Sequence, residues 1–273
     1  MNRFNAALLA GALAGALAAA PLAQAEEAYT TRDLNEQLVM ATLWMQASAE
    51  FRALSHQAFN VAHMQLDKAL AAHKGNKPLA IAVDVDETIL DNTAYEAYLI
   101  GNDFGYSSKT WVPWMNAAEA TAMPGAVEFL NYAASKGVHV FYITNRKPEG
   151  KEGTLRNLKA LGFPFVDETH LLMREKSSSK EARRQAVLEK YDVALMVGDN
   201  LNDFSDDFYK KSVDERFAAT DKHKDKWGTE WIVLPNPTYG DWEGAVYNGN
   251  WKASAAEKDQ MRKQHLRRWA PKQ

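Results

Sequence analysis

The 273-residue chain contains no cysteine. That absence excludes disulfides, thiolate metal sites and a lipid-bearing cysteine at a processing point. A surplus of positive charge is also missing. Lys and Arg number 32 against 35 Asp and Glu, a net charge of −3, which is not the balance of a polyanion binder. After the first 25 residues, no stretch approaches the ~20 consecutive apolar residues of a membrane-spanning helix. No internal repeat or low-complexity segment stands out there either.

The first 25 residues stand apart from the rest. Arg3 supplies a positive start, an Ala- and Leu-rich run extends from Ala6 to Ala20, and the stretch ends in Ala23-Gln24-Ala25. The short apolar run and the small-x-small ending read as a cleavable export signal rather than a span, an uncleaved N-terminal anchor being the alternative. Cleavage there leaves 248 residues at a net charge of −4. The mature protein is expected to be exported, periplasmic or secreted.

From about Thr31 to Ala72 there is no Pro or Gly, and Leu34, Leu38, Trp44, Phe51, Leu54, Phe59 and Val61 recur at helical spacing. The spacing predicts helix, with room for an interruption. Gly75-Asn76-Lys77-Pro78 punctuates the chain, and Leu79 to Val83 reads as a buried parallel strand. Helix and strand then alternate. Strands are expected over Val138 to Ile143, briefly over His170 to Met173, and over Val193 to Val197; helices follow Pro124-Gly125 and cover Gly153 to Leu161 and Ser177 to Tyr191. This pattern predicts an α/β fold with a Rossmann-like parallel sheet and ligand chemistry at the strand ends. Residues 79–91 and 124–226 form the expected core and residues 92–123 a cap insertion. Residues 26–78 are assigned to a smaller, mainly helical domain, and residues 227–273 complete both parts.

The most informative run is Asp84-Val85-Asp86-Glu87-Thr88-Ile89-Leu90-Asp91-Asn92, directly after an apolar strand. Two acids spaced by one residue at a strand end can divide the work of phosphoryl transfer, one attacking phosphorus and the other serving the ester oxygen. Thr144, after the second strand, can donate its hydroxyl to a phosphoryl oxygen, assisted by neighbouring backbone N–H groups such as that of Asn145. Lys180, at the Ser-rich start of a helix, can offset charge at phosphorus, with Lys176 a close competitor. Asp199, in Gly198-Asp199-Asn200-Leu201-Asn202-Asp203, is a hard oxygen donor suited to magnesium, and Asp203 can orient a metal water or Lys180.

The ordered set Asp84-x-Asp86, Thr144, Lys180 and Gly198-Asp199-Asn200-x-x-Asp203 resembles the haloacid dehalogenase (HAD) superfamily. More narrowly, the nine-residue run resembles the class C bacterial acid phosphatases, the lipoprotein e family. So do Trp44-Met45-Gln46 with Ser48-Ala49-Glu50, Val140-Phe141-Tyr142-Ile143-Thr144-Asn145-Arg146 and Tyr239-Gly240-x-Trp242-Glu243-Gly244. The resemblance implies magnesium dependence, a homodimer, and hydrolysis of phosphomonoesters including nucleoside 5'-monophosphates, nicotinamide mononucleotide and aryl phosphates. It further implies an aspartyl-phosphate on Asp84, acid and base work by Asp86, and a metal held by Asp84, the Asp86 carbonyl and Asp199. Members are typically lipid-anchored through a cysteine; with none here, no membrane anchor is expected.

Trp111, Trp114, Tyr239 and Trp242 are candidates for stacking a base or nicotinamide ring, packing being the alternative for each. His56 and His63 lack a third partner for zinc, and no histidine sits in the Arg-His-Gly run that histidine phosphatases need. The tail from Lys258 to Lys272 carries six basic residues against one acid, which reads as a solvated face, and no nucleic-acid polymer is expected as partner. Two rival functions remain: phosphate transfer to an alcohol on the same site, and a non-catalytic binding or storage protein on this fold. The presence of both Asp84 and Asp86 counts against the second.

Overall fold

The structure is a computed structural model, and it describes residues 29–271. The expected export signal lies outside the described residues. Helices α1 (Thr31–Asn35), α2 (Val39–Ala47) and α3 (Ala49–Ala72) come first, followed by β1 (Leu79–Val83) and β2 (Leu90–Asp91). Next are α4 (Thr93–Leu99), α5 (Ser108–Ala117) and β3 (Thr121–Ala122), then α6 (Ala126–Ser135), β4 (His139–Ile143), α7 (Lys151–Ala160) and β5 (Leu171–Leu172). The chain continues through α8 (Glu181–Leu188), β6 (Asp192–Gly198), α9 (Val213–Lys222), β7 (Trp231–Val233), α10 (Asp241–Val246) and α11 (Ala255–Gln264).

Five parallel strands form one sheet in the order β5-β4-β1-β6-β7. The chain moves outward from β1 through β4 to β5, then crosses back to β6 and β7. The order therefore reverses beside β1, where open α/β sheets bind ligands. Both faces are covered, which explains why the strands read as unbroken apolar runs. Ile81, Val83, Val140 and Tyr142 pack with α3 and α6 on one face. Ala80, Ala82, Phe141 and Ile143 pack with Val187 of α8 on the other.

Helix α3 corrects the expected domain division. Residues 26–78 were assigned to the small helical domain, yet Phe51, Ala58, Phe59, Ala62 and Leu66 of α3 join Ile81 and Val83 in the main core. These positions form one helical stripe, and burying each large side chain stabilises by about 1.5–3 kcal/mol. The break that frees α3 from α2 is Ser48, whose extended backbone (ψ 134°) ends α2 and whose hydroxyl accepts the Phe51 N–H at 3.0 Å.

Helices α1 and α2 accompany the insertion, though Met45 of α2 is also buried in the main core. Tyr95, Leu99, Trp111 and Met115 of α4 and α5 are buried together, with Leu38 and Phe104 packed against them. Asn35 Nδ2 ties α1 to this unit, 2.9–3.0 Å from the carbonyl oxygens of Leu99, Asn102 and Phe104. The insertion leaves and rejoins the core through the antiparallel β2–β3 pair, where Leu90 faces Ala122 and Asp91 faces Thr121. The C-terminal segment divides: β7 extends the sheet, while Arg262 of α11 donates to Glu243 (2.6 Å) and Gln37 (2.9 Å). No helix among the described residues is long and apolar enough to cross a membrane.

Candidate active site

Three adjacent strands deliver the expected chemistry to one place. Val83 pairs with Tyr142 of β4 and Val197 of β6, so Asp84, Thr144 and Asp199 emerge side by side at the carboxyl end of the sheet. The turn after β1 is tight: the Ile89 and Leu90 N–H groups return to the Val85 carbonyl, and the Glu87 N–H reaches Leu90. Glu87 takes a left-handed backbone (φ 54°), which is costly for a non-glycine residue. Its buried carboxylate holds the turn by accepting the Asn92 N–H at 2.8 Å and the Tyr239 hydroxyl.

Carboxylate oxygens of Asp84, Asp199 and Asp203 lie within 4.8 Å of one another. Lys180 Nζ, itself buried, donates to Asp84 and lies 2.7 Å from Asp203 Oδ1. Asp199 accepts Thr88 Oγ1 at 3.0 Å on one oxygen and Asn236 Nδ2 at 2.9 Å on the other. Asp203 also caps its own turn, its Oδ2 accepting the Asn200 N–H at 3.0 Å. Gly198 permits that approach, because a Cβ there would collide with the Asp203 carboxylate.

Burial, reinforced by the neighbouring aspartates, pushes Asp84 well above the usual carboxylate range. Asp199 keeps some exposure but sits deep in the cleft, and burial with Asp203 pushes it up to about 7. Burial works against the Lys180 ammonium, but Asp203 and Asp84 outweigh it and hold it above its ordinary value. When ionised, the three carboxylates exceed the one ammonium by two negative charges. A hard divalent cation with oxygen ligands fits such a donor set.

Asp86 is turned away from this cluster. Its Oδ1 accepts Arg146 Nε at 2.8 Å and Asn92 Nδ2 at 2.9 Å, while its Oδ2 has the Thr144 hydroxyl at 3.4 Å. The Arg146 guanidinium, almost wholly buried, also donates to Thr154 Oγ1 (3.0 Å) and Asn92 Oδ1 (3.1 Å). Motif spacing assigns Arg146 and Asn92 no role, because their meeting depends on the loops after β1 and β4 lying side by side. Thr88 and Asn236 gain their roles in the same way, where the loops after β1 and β7 flank Asp199 at the end of β6.

Lys180 contacts Asp84 and Asp203, whereas Lys176 is exposed. The helix expected from Ser177 begins at Glu181, with Lys180 at its N-cap. The side chain of Asn145 is engaged elsewhere, donating to the Ser178 carbonyl (3.0 Å) and accepting Arg183 Nη2 (2.8 Å). Among the stacking candidates, Trp111 is packed edge-on against Tyr95 in the small helical unit, so it is core rather than platform. Trp114 is half-buried and spends its indole N–H on Asn92 Oδ1 at 2.9 Å. Tyr239 and the exposed Trp242, with Phe217, line a cavity of about 280 Å³ beside Asp199 and Asn200.

A family model described as HAD superfamily, subfamily IIIB (acid phosphatase) matches residues 8–242. Two solved structures of the class C acid phosphatase from Bacillus anthracis, one with tungstate bound, are each 43% identical to this chain. Each superposes with a TM-score of 0.84, covering 87% of this chain and 99% of the other.

Proposed function

The chain belongs to the class C acid phosphatases of HAD subfamily IIIB, phosphomonoester hydrolases, and from that premise we propose an exported enzyme that works through an aspartyl-phosphate on Asp84. The observation that carries the reading is the convergence of Asp84, Thr144 and Asp199 at the ends of three neighbouring strands, with Lys180 of the α8 N-cap on Asp84 and Asp86 beside Thr144. Tungstate in the Bacillus anthracis relative is a tetrahedral oxyanion like phosphate, which agrees with it.

Asp84 attacks phosphorus as the ester P–O bond breaks, and Asp86 gives its proton to the departing oxygen. Asp86 then takes a proton from the water that attacks the acyl phosphate, releasing phosphate and restoring Asp84. Lys180 has three N–H bonds and spends two on Asp84 and Asp203, leaving one for a phosphoryl oxygen. The Thr144 hydroxyl and the Asn145 backbone N–H hold the others. Magnesium, held by Asp84, the Asp86 carbonyl and Asp199 with Asp203 behind them, would supply charge neutralisation at the phosphoryl group.

The cavity lined by Tyr239, Trp242 and Phe217 suits the ring of an aryl phosphate or a nucleoside 5'-monophosphate, nicotinamide mononucleotide included. Trp242 offers the more exposed face, and Tyr239 serves mainly to brace Glu87. The homodimer implied by the family remains part of this proposal.

The test is phosphate release by purified protein from a nucleoside monophosphate and an aryl phosphate at mildly acidic pH. Magnesium and a chelator are compared, with Asp84→Asn alongside. Magnesium-dependent release that disappears in the variant supports the mechanism. Equal release by the variant assigns the wrong nucleophile.

A further inference from the structure

Asn92 stands at the crossing of two parts of the molecule. It closes the turn after β1, yet its side-chain oxygen accepts from Trp114 Nε1 (2.9 Å) of α5 in the insertion and from Arg146 Nη2 (3.1 Å) after β4. Indole and guanidinium nitrogens are donors only, and the partners on the other side of the amide, Asp86 and Glu87, are carboxylates. The amide therefore has one satisfactory orientation, oxygen toward Trp114 and Arg146, NH₂ toward Asp86. Asn92 is wholly buried, so a flipped amide would leave donor against donor and acceptor against acceptor with no water to compensate.

The two oxygens of Asp86 are consequently unequal. Oδ1 has two donor groups, the Arg146 guanidinium, with Nε and Nη2 each at 2.8 Å, and Asn92 Nδ2. Among the described residues Oδ2 has only the long Thr144 contact, from a hydroxyl free to rotate. A proton on Oδ1 would face the N–H bonds of both groups. A proton on Oδ2 leaves Oδ1 as an acceptor for the same two donors, so they hold the carboxyl in either protonation state.

We propose that Asn92, oriented by Trp114 and Arg146, is a positioning residue for Asp86 that reserves Oδ2 for proton transfer and makes the insertion a participant in the chemistry. The inference rests on the acid and base role proposed above for Asp86. The Oδ2 proton passes to the ester oxygen as its bond to phosphorus breaks, and the same oxygen later receives a proton from the attacking water.

The experiment measures kcat/KM for phosphate monoesters ranging from nitrophenyl to simple alkyl leaving groups, which reports phosphoryl transfer to the enzyme. A nitrophenolate departs with little need of a proton; an alkoxide requires one. Trp114→Phe removes the N–H and keeps a ring to pack, so it is the primary variant. It is expected to lose about tenfold on the alkyl ester and less than about twofold on the nitrophenyl ester. Asn92→Ala, if it folds, is expected to show a steeper dependence approaching that of Asp86→Asn. A uniform loss across leaving groups in Trp114→Phe, or no loss, overturns the inference when Asp86→Asn shows the dependence. If Asp86→Asn shows none, the acid role itself falls, and the positioning role with it.

Discussion

Lys180 and Asp203 form a buried ion pair, Nζ to Oδ1 at 2.7 Å, made by a residue that simultaneously caps the turn after β6. The position of the ammonium is thereby coupled to the loop that presents Asp199. Asp203→Asn removes the charge facing Lys180 while keeping a side-chain oxygen for the turn. We expect kcat/KM to fall about 10- to 100-fold, the cost of a small misplacement at a reacting centre. Stability should fall by about 1–3 kcal/mol. Phosphate-release kinetics and thermal unfolding on one preparation check both; kinetics unchanged from the parent would mean Asp84 alone positions Lys180.

Gly198→Ala inserts a methyl group where the Asp203 carboxylate stands. Because the neighbour is a capped, ion-paired side chain, it cannot simply swing aside. The expected result is a loss of at least about 2 kcal/mol in thermal unfolding, in line with overpacking of a dense site, together with a weaker response to magnesium. Retention of both properties would show that the turn yields more easily than its hydrogen bonds suggest.

Magnesium should stabilise the protein as well as activate it. A cation bound by the native carboxylate cluster at a hundred times its dissociation constant adds about 2.7 kcal/mol. The melting temperature should rise on titration with magnesium and fall back with chelator. Asp199→Asn, which removes one of the clustered carboxylates, should blunt the rise. A variant that gains as much as the parent would place the ion elsewhere.

Glu96 of α4 is buried, and burial reinforced by Glu243 pushes its carboxyl up to about 8 from an ordinary 4.5. The folded protein thus holds this proton more tightly than the unfolded chain. Its contribution to stability is fully present below pH 4.5 and is lost as pH rises through about 8. Glu96→Gln should therefore match the parent in stability near pH 4.5 and exceed it near pH 8, by roughly 4 kcal/mol. Parallel melting curves for the two proteins across that range would contradict the assignment.

Much of this architecture is legible in the chain because strands covered on both faces must be apolar throughout: Leu79–Val83 and His139–Ile143 announce themselves. The acids that follow them are equally visible, since a carboxylate after such a run needs a purpose. What sequence spacing cannot convey is adjacency between loops. Arg146 and Asn92 are far apart in the chain and become partners only when β4 lies beside β1. The same limit applies to α3, whose apolar stripe suits a small helical domain or the sheet equally well until Ser48 interrupts the helix and lets it turn onto the core. Trp111 shows the converse, an aromatic close to the site in sequence that is buried in packing.

The β2–β3 ladder has a consequence for how this protein can be rebuilt. Since the chain departs and returns across two facing residue pairs, the segment between them is fitted like a cartridge in a socket. The register of the five-stranded sheet is set outside it, by the pairing of β1 with β4 and β6. Any replacement must bring back an N–H where the Trp114 indole now stands, since that group reaches across the socket to Asn92, and a face like that of Met115 to fill the space against Gly150 and Gly153.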